Sequence, residues 1–114
     1  MFDAFDEALD QGTQAMILVV FRSRLRPENA AEFSEHADRM LEVARSMPGF
    51  VSYKSFLSDD GERASIIEFE DAEALKGWRD HPEHRRLQAE GRKRFYTEYS
   101  LQVSEPLRES RFER

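Results

Sequence analysis

Phe50-Val-Ser-Tyr-Lys-Ser-Phe-Leu57, Asp59-Asp60-Gly61 and Ala64-Ser-Ile-Ile-Glu-Phe-Glu70 follow one another in the middle of this 114-residue chain, and their reading decides the fold. The outer two segments are rich in aromatic and β-branched residues and suit a pleated surface. The first alternates along its length, as a strand does when one face is drier than the other. Between them, Gly61 can take φ > 0 at the corner after two turn-forming acids. The three segments predict a β-hairpin.

Upstream, Met16-Ile-Leu-Val-Val-Phe21 continues through Arg22-Ser-Arg24 and predicts a strand apolar on both faces, too short for an independent helix. Phe33, Ala37, Met40, Leu41 and Ala44 then fall at i, i+4, i+7, i+8 and i+11, the stripe of a helix beginning near Pro27 or Asn29 and ending before Pro48-Gly49. Downstream, Asp71 caps a short helix through Trp78. Asp80, with Pro82 and Glu83 after it, resembles a capping-box start for a second helical piece through about Lys93, so the helical half breaks at His81-Pro82. Phe95, Thr97, Tyr99, Leu101 and Val103 alternate with Tyr96, Glu98, Ser100 and Gln102, predicting a last strand with one drier face. The order β-α-β-β-α-β is an α+β, ferredoxin-like split βαβ plan, with helices on one face of a four-stranded antiparallel sheet. A first strand apolar on both sides leaves an oily patch on the uncovered face, which predicts a homodimer packed through its sheet faces.

Composition bounds the chemistry. With 39% hydrophobic residues and nine Phe, the chain can supply the core of one domain, and no run approaches the roughly 18 apolar residues of a membrane span. The absence of cysteine removes disulfides, thiolate nucleophiles and zinc–thiolate or iron–sulfur centres. Residues 1–14 form an acidic arm. It carries −4 of the net −6 and lacks the basic start and apolar stretch of a secretory signal, so a cytoplasmic location is expected. In the arm Phe2, Phe5 and Leu9 lie about a helical turn apart, which fits either an amphipathic flap on a partner or a frayed tail. Residues 79–94 hold six basic side chains against three acidic ones. They form either a solvated helix face, with pairs such as Asp80–His84 and Glu90–Arg94, or an attractor for a small anion. An acidic chain without sustained basic clustering is not expected to bind nucleic acid.

Helical spacing places His84, Leu87, Gln88 and Gly91 on one face with Phe95 close behind, and His36 on the edge of the first helix's stripe. Each histidine is either a hydrogen-bonded core residue or, with its near-neutral pKa, a general base. His81, just before Pro82, caps or turns the chain. Trp78 packs in the core or lines a cavity. A metal pair at His81 and His84 is disfavoured, because Pro82 disturbs the spacing and no third ligand is evident.

Met47-Pro-Gly-Phe50, the hairpin end Glu68-Phe69-Glu70-Asp71, and Trp78-Arg-Asp-His-Pro-Glu-His84 followed by Gly91-Arg92 and Phe95-Tyr96 resemble the antibiotic biosynthesis monooxygenase domain family over roughly residues 15–106, leaving 107–114 as a C-terminal tail. The resemblance implies a dimeric α+β barrel with a pocket in each subunit between helices and sheet. It further implies a monooxygenase needing neither metal nor flavin, acting on a small aromatic or quinol-type substrate whose phenolate donates an electron to O2. In that scheme His84 or His36 is the base, and Arg92 or Arg24 stabilises an oxyanion. Tyr96 or Tyr99 orients a ring oxygen, and Trp78, His81 and Phe95 contact the substrate. Haem-degrading relatives carry an asparagine on the first strand and a histidine ten residues after the tryptophan. This chain has no asparagine in residues 15–25 and has Gln88 in the latter position. The alternative class is a dimeric module that binds a small aromatic or anionic ligand without catalysis.

Overall fold

β1 (Ile17–Leu25) lies inside the sheet, hydrogen-bonded to β3 (Arg63–Phe69) on one side and β4 (Tyr96–Ser104) on the other. β2 (Phe50–Leu57) adds to β3, giving the order β2-β3-β1-β4 with every pairing antiparallel. These elements belong to a computed structural model that describes residues 15–114; the amphipathic-flap reading of the arm falls outside the described residues. Helices α1 (Phe33–Arg45), α2 (Ala72–Asp80) and α3 (Pro82–Glu90) complete the ferredoxin-like plan expected from the sequence. Past Ser104 the chain has no helix or strand and is exposed. No helix among the described residues is long and apolar enough to cross a membrane.

The hairpin turns where expected: the Glu62 amide donates to Asp60 Oδ1 at 3.0 Å, and Gly61 takes φ +90°. Asp71 caps α2 by accepting from the Ala74 amide at 2.8 Å. Gly49 leaves α1 at φ +82°, and a Cβ there would sit 2.5 Å from that of Ala74, so only glycine lets the loop reach α2. The solid core is formed by Ile17, Val19, Val43, Ala44, Ile67, Phe69, Leu75, Trp78 and Leu87, where helices cover one end of the sheet.

Four details differ from the sequence expectation. Pro27–Glu32 is a 3-10 turn that buries none of its residues, and α1 begins only where its apolar stripe does, at Phe33. The turn is held in place by the π turn described below: Arg26 N donates to the Phe95 carbonyl at 2.7 Å, and the Asn29 side chain donates to the Arg94 carbonyl. α3 is capped by His81, not Asp80. A residue preceding proline is pushed out of helical geometry, so His81, at φ −61° and ψ 127°, takes the cap position, and its Nδ1 accepts from the Glu83 amide. Asp80 stays in α2 and pairs with Arg79 and Arg85 instead of His84, while Glu90 pairs with His36 and Arg86 instead of Arg94, whose guanidinium goes to Glu32.

The last difference matters most for the site. After Glu90 the chain makes a π turn, Gly91–Phe95, which seats Phe95 in the interior ahead of the strand. Within β4 one residue is extra: Arg24 pairs with Glu98 and Leu25 with Tyr96, leaving Thr97 as a β-bulge. Strict alternation puts Tyr96 and Tyr99 on opposite faces; the bulge brings both to the helix side.

On the uncovered face, Leu18, Val20, Ala64, Ile66 and Phe56 form a strip flanked by Arg22, Arg24, Lys54, Glu68, Glu98 and Gln102. Phe56 is 48% exposed.

Candidate active site

Between α1 and the helix-facing side of the sheet lies a cavity of about 290 Å³. Its floor follows from strand register, in three rows running across the sheet. Tyr53, Ile67, Val19 and Val103 form the row nearest the solid core; Ser55, Ser65, Phe21 and Leu101 form the next; Arg63, Ser23 and Tyr99 form the last. The stripe residues of α1, Phe33, Ala37, Met40 and Leu41, form the roof together with Trp78, His84 and Gln88. This explains why those four are only half-buried while His36, Val43 and Ala44 are fully so. The stripe covers a void as well as the core.

His36 is 4% exposed and its Nδ1 lies 3.1 Å from Glu90 Oε1. A carboxylate can only accept, so Nδ1 carries the proton and Nε2 presents a lone pair. Burial lowers the pKa of His36, while the Glu90 hydrogen bond opposes that shift, so the ring is a neutral imidazole oriented by a carboxylate. Phe95 and Phe33 enclose it, with centroids at 4.8 Å and 5.7 Å. Gly91 lies alongside: a Cβ there would meet Tyr96 Cε2 at 2.5 Å and His36 Nε2 at 3.4 Å, so the missing side chain makes room for the tyrosine ring beside the imidazole.

His84, also 4% exposed, stacks on Trp78 with centroids 4.1 Å apart, and its Nδ1 faces the Arg79 carbonyl at 3.5 Å. Desolvation drives its pKa down to about 4, so it is neutral near pH 7. Burial also raises the phenol pKa of Tyr53 and of Tyr96. Two buried side-chain polar atoms among the described residues lack a hydrogen-bond partner, His36 Nε2 and Trp78 Nε1, and both belong to side chains lining this cavity. Each costs on the order of 1–3 kcal/mol if left unpaired, and native proteins keep few such atoms outside functional sites.

Of the residues singled out from the sequence, His36, His84, Trp78, Tyr96 and Tyr99 meet at the cavity. The other four lie apart from its lining. Phe95 is one layer behind, against His36. His81 is the α3 cap. Arg92 is exposed and, among the described residues, reaches the Tyr99 hydroxyl at 3.4 Å. Arg24 points to the opposite sheet face, bound to Asp60 and Glu98. Tyr53, Arg63 and Glu90 were not singled out. Tyr53 and Arg63 share a face of the hairpin that its alternation already separates from Lys54, but Glu90 meets His36 only through packing of α3 on α1, which no local pattern signals.

The sequence model of the family described as antibiotic biosynthesis monooxygenase matches residues 16–90. The uncharacterized protein YqjZ of Bacillus subtilis (strain 168) is 30% identical over 95 residues, which are 83% of this chain and 82% of that protein. Rv0793 from Mycobacterium tuberculosis has a solved structure that superposes with a TM-score of 0.76 at 23% identity, covering 85% of this chain and 100% of its own. SnoaB, a cofactor-independent oxygenase from Streptomyces nogalater, superposes with a TM-score of 0.74 at 18% identity over 84% of this chain and 96% of its own. At those identities the two structures speak for the fold.

Proposed function

This chain belongs to the antibiotic biosynthesis monooxygenase family, and from that membership we propose that its cavity binds a small phenolic or quinol-type arene and oxygenates it with O2, without metal or flavin. The observation that carries the reading is the lone pair of His36 Nε2, buried without a partner on a side chain that lines an aromatic cavity. A neutral imidazole held by a carboxylate is suited to take a phenol proton, because the imidazolium that results stays hydrogen-bonded to Glu90. The phenolate then passes one electron to O2, the phenoxyl radical and superoxide combine at a ring carbon, and loss of water from that adduct leaves a quinone. One oxygen atom enters the ring and the other leaves as water, so the four electrons accepted by O2 come from the substrate alone.

His36 suits the base role better than His84, since a pKa near 4 makes His84 a weak proton acceptor. His84 instead holds Trp78, whose unpaired indole N–H can donate to a substrate oxygen. Tyr96, its own pKa raised, stays protonated and orients the ring through its hydroxyl. The assembly we propose is a homodimer closed over Leu18, Val20, Ile66 and Phe56 of the uncovered sheet face.

Oxygen uptake with a panel of anthrone- and naphthol-type phenols tests the reaction. The expected result is turnover that falls at least about a hundredfold in His36→Ala, the scale of general-base catalysis. Tight binding without oxygen uptake would support the non-catalytic module instead.

A further inference from the structure

Polarity changes along the cavity floor in a consistent direction. The row nearest the core is aliphatic apart from the Tyr53 phenol, the middle row adds Ser55 and Ser65, whose hydroxyls bond each other at 2.7 Å, and the last row holds Arg63, Ser23 and Tyr99. Arg63 takes part in no ion pair among the described residues, although it is half-buried; its guanidinium carbon sits 5.3 Å from the centroid of the Phe33 ring. The remaining cation of the lining, Arg79, is committed to Asp80, and the lining carboxylate Asp38 is exposed on α1. A guanidinium laid on an aromatic face keeps its edge donors available, because the contact uses the plane and not the N–H groups. Beside it, the Tyr99 hydroxyl accepts from Arg92 at 3.4 Å, which leaves its own proton free to donate.

We infer that the cavity takes a flat arene bearing a carboxylate, with the ring system over Val19 and Ile67 and the carboxylate at Arg63, Ser23 and Tyr99. The inference rests on the reading of the cavity as a binding site and names its substrate class. Rows two residues apart along antiparallel strands are separated by about 7 Å, so the first and last lie about 13 Å apart, a span that fits two or three fused rings and a carboxyl group. Arg63 is thus the specificity-determining residue: it selects an arene acid over the neutral arene of the same shape. Phe33 contacts both His36, at 5.7 Å between centroids, and Arg63, so the acid end and the base share one aromatic wall.

The test is calorimetric titration of the full-length protein with 2-naphthoate and with its neutral isostere 2-naphthamide. Naphthoate is expected to bind at least about tenfold more tightly, the scale of one charge-assisted hydrogen bond. Arg63→Gln is expected to bring naphthoate down to the level of the amide, leaving amide affinity within about twofold, and Arg63→Lys to restore part of the preference. In the wild-type protein, raising the salt concentration should weaken naphthoate binding and leave the amide unaffected, a readout that needs no variant to fold. Equal affinities in the wild-type protein, or equal losses for both compounds in Arg63→Gln, overturn the inference while leaving the binding site standing. Failure of both compounds to bind overturns the cavity reading and this inference with it.

Discussion

Acidifying the protein from about pH 7.5 to about pH 4.5 puts the burial of His84 to a quantitative test. Its pKa falls from 6.5 to about 4 because the ring is desolvated against Trp78, with the Arg79 carbonyl opposing only part of the shift. At about 1.4 kcal/mol per pKa unit, that difference is worth about 3 kcal/mol of folding free energy. The sign follows from proton uptake: between pH 6.5 and 4 the unfolded chain binds a proton at this position and the folded chain does not. The contribution is therefore complete above about pH 6.5 and is lost as pH falls toward 4. His36, also lowered, acts in the same direction. Asp60 and Glu83, held near 2 by hydrogen bonds that include Arg24 and Arg86, lose their contribution only in a more acidic window. Urea unfolding at several pH values, wild type against His84→Phe, isolates the term, because phenylalanine keeps a ring against Trp78 and cannot titrate. The variant is expected to lose about 2–3 kcal/mol less than wild type across this range. An identical pH slope in the two proteins, or an NMR titration of folded His84 with its midpoint near 6, would refute the reasoning.

Glu90→Gln removes the carboxylate that opposes the desolvation of His36, so the acidic limb of the pH–rate profile should move to lower pH, and a fall in turnover with no movement of that limb would contradict the assigned orientation. Gly91→Ala forces a Cβ to within 2.5 Å of the Tyr96 ring and should cost about 1–3 kcal/mol in denaturant unfolding, together with loss of ligand affinity as the ring is displaced. Val20→Glu, placed beside Ile66 in the middle of the uncovered strip, should shift the mass measured by light scattering from two subunits to one while the circular dichroism spectrum is retained; an unchanged mass would count against the sheet-packed homodimer.

The strands and their order were legible because each is written in local terms: alternation in β2, a glycine corner at Gly61, and an unbroken apolar run in β1. The same holds for Asp71, whose cap depends on residues within one turn. What escaped local reading were features created by competition between neighbours. Asp80 has the chemistry of a cap, but Pro82 constrains His81 more strongly than carboxylate preference can oppose. Half of the cavity was visible in the helical faces that carry His36 and His84, and a strict period of two on β4 placed Tyr99 correctly while sending Tyr96 to the wrong side. Arg24 and Arg92 were attractive as charges near the right elements; their partners Asp60, Glu98 and the Tyr99 hydroxyl are set by strand register and by tertiary packing of turns that the sequence does not display.

The π turn and the bulge that follows it are each a regular element carrying one surplus residue, and they lie back to back within residues 91–97. A chain shortened by one residue in this segment has two ways to absorb the loss, by relaxing the turn to an ordinary α-helical end or the strand to an ordinary ladder. Either leaves the pairing of Glu98 through Ser104 with β1 untouched, so the scaffold survives while the reach of Phe95 and Tyr96 is reset. Chain length between Glu90 and Glu98 is thereby a tuning parameter of the aromatic wall, adjustable without renegotiating the sheet.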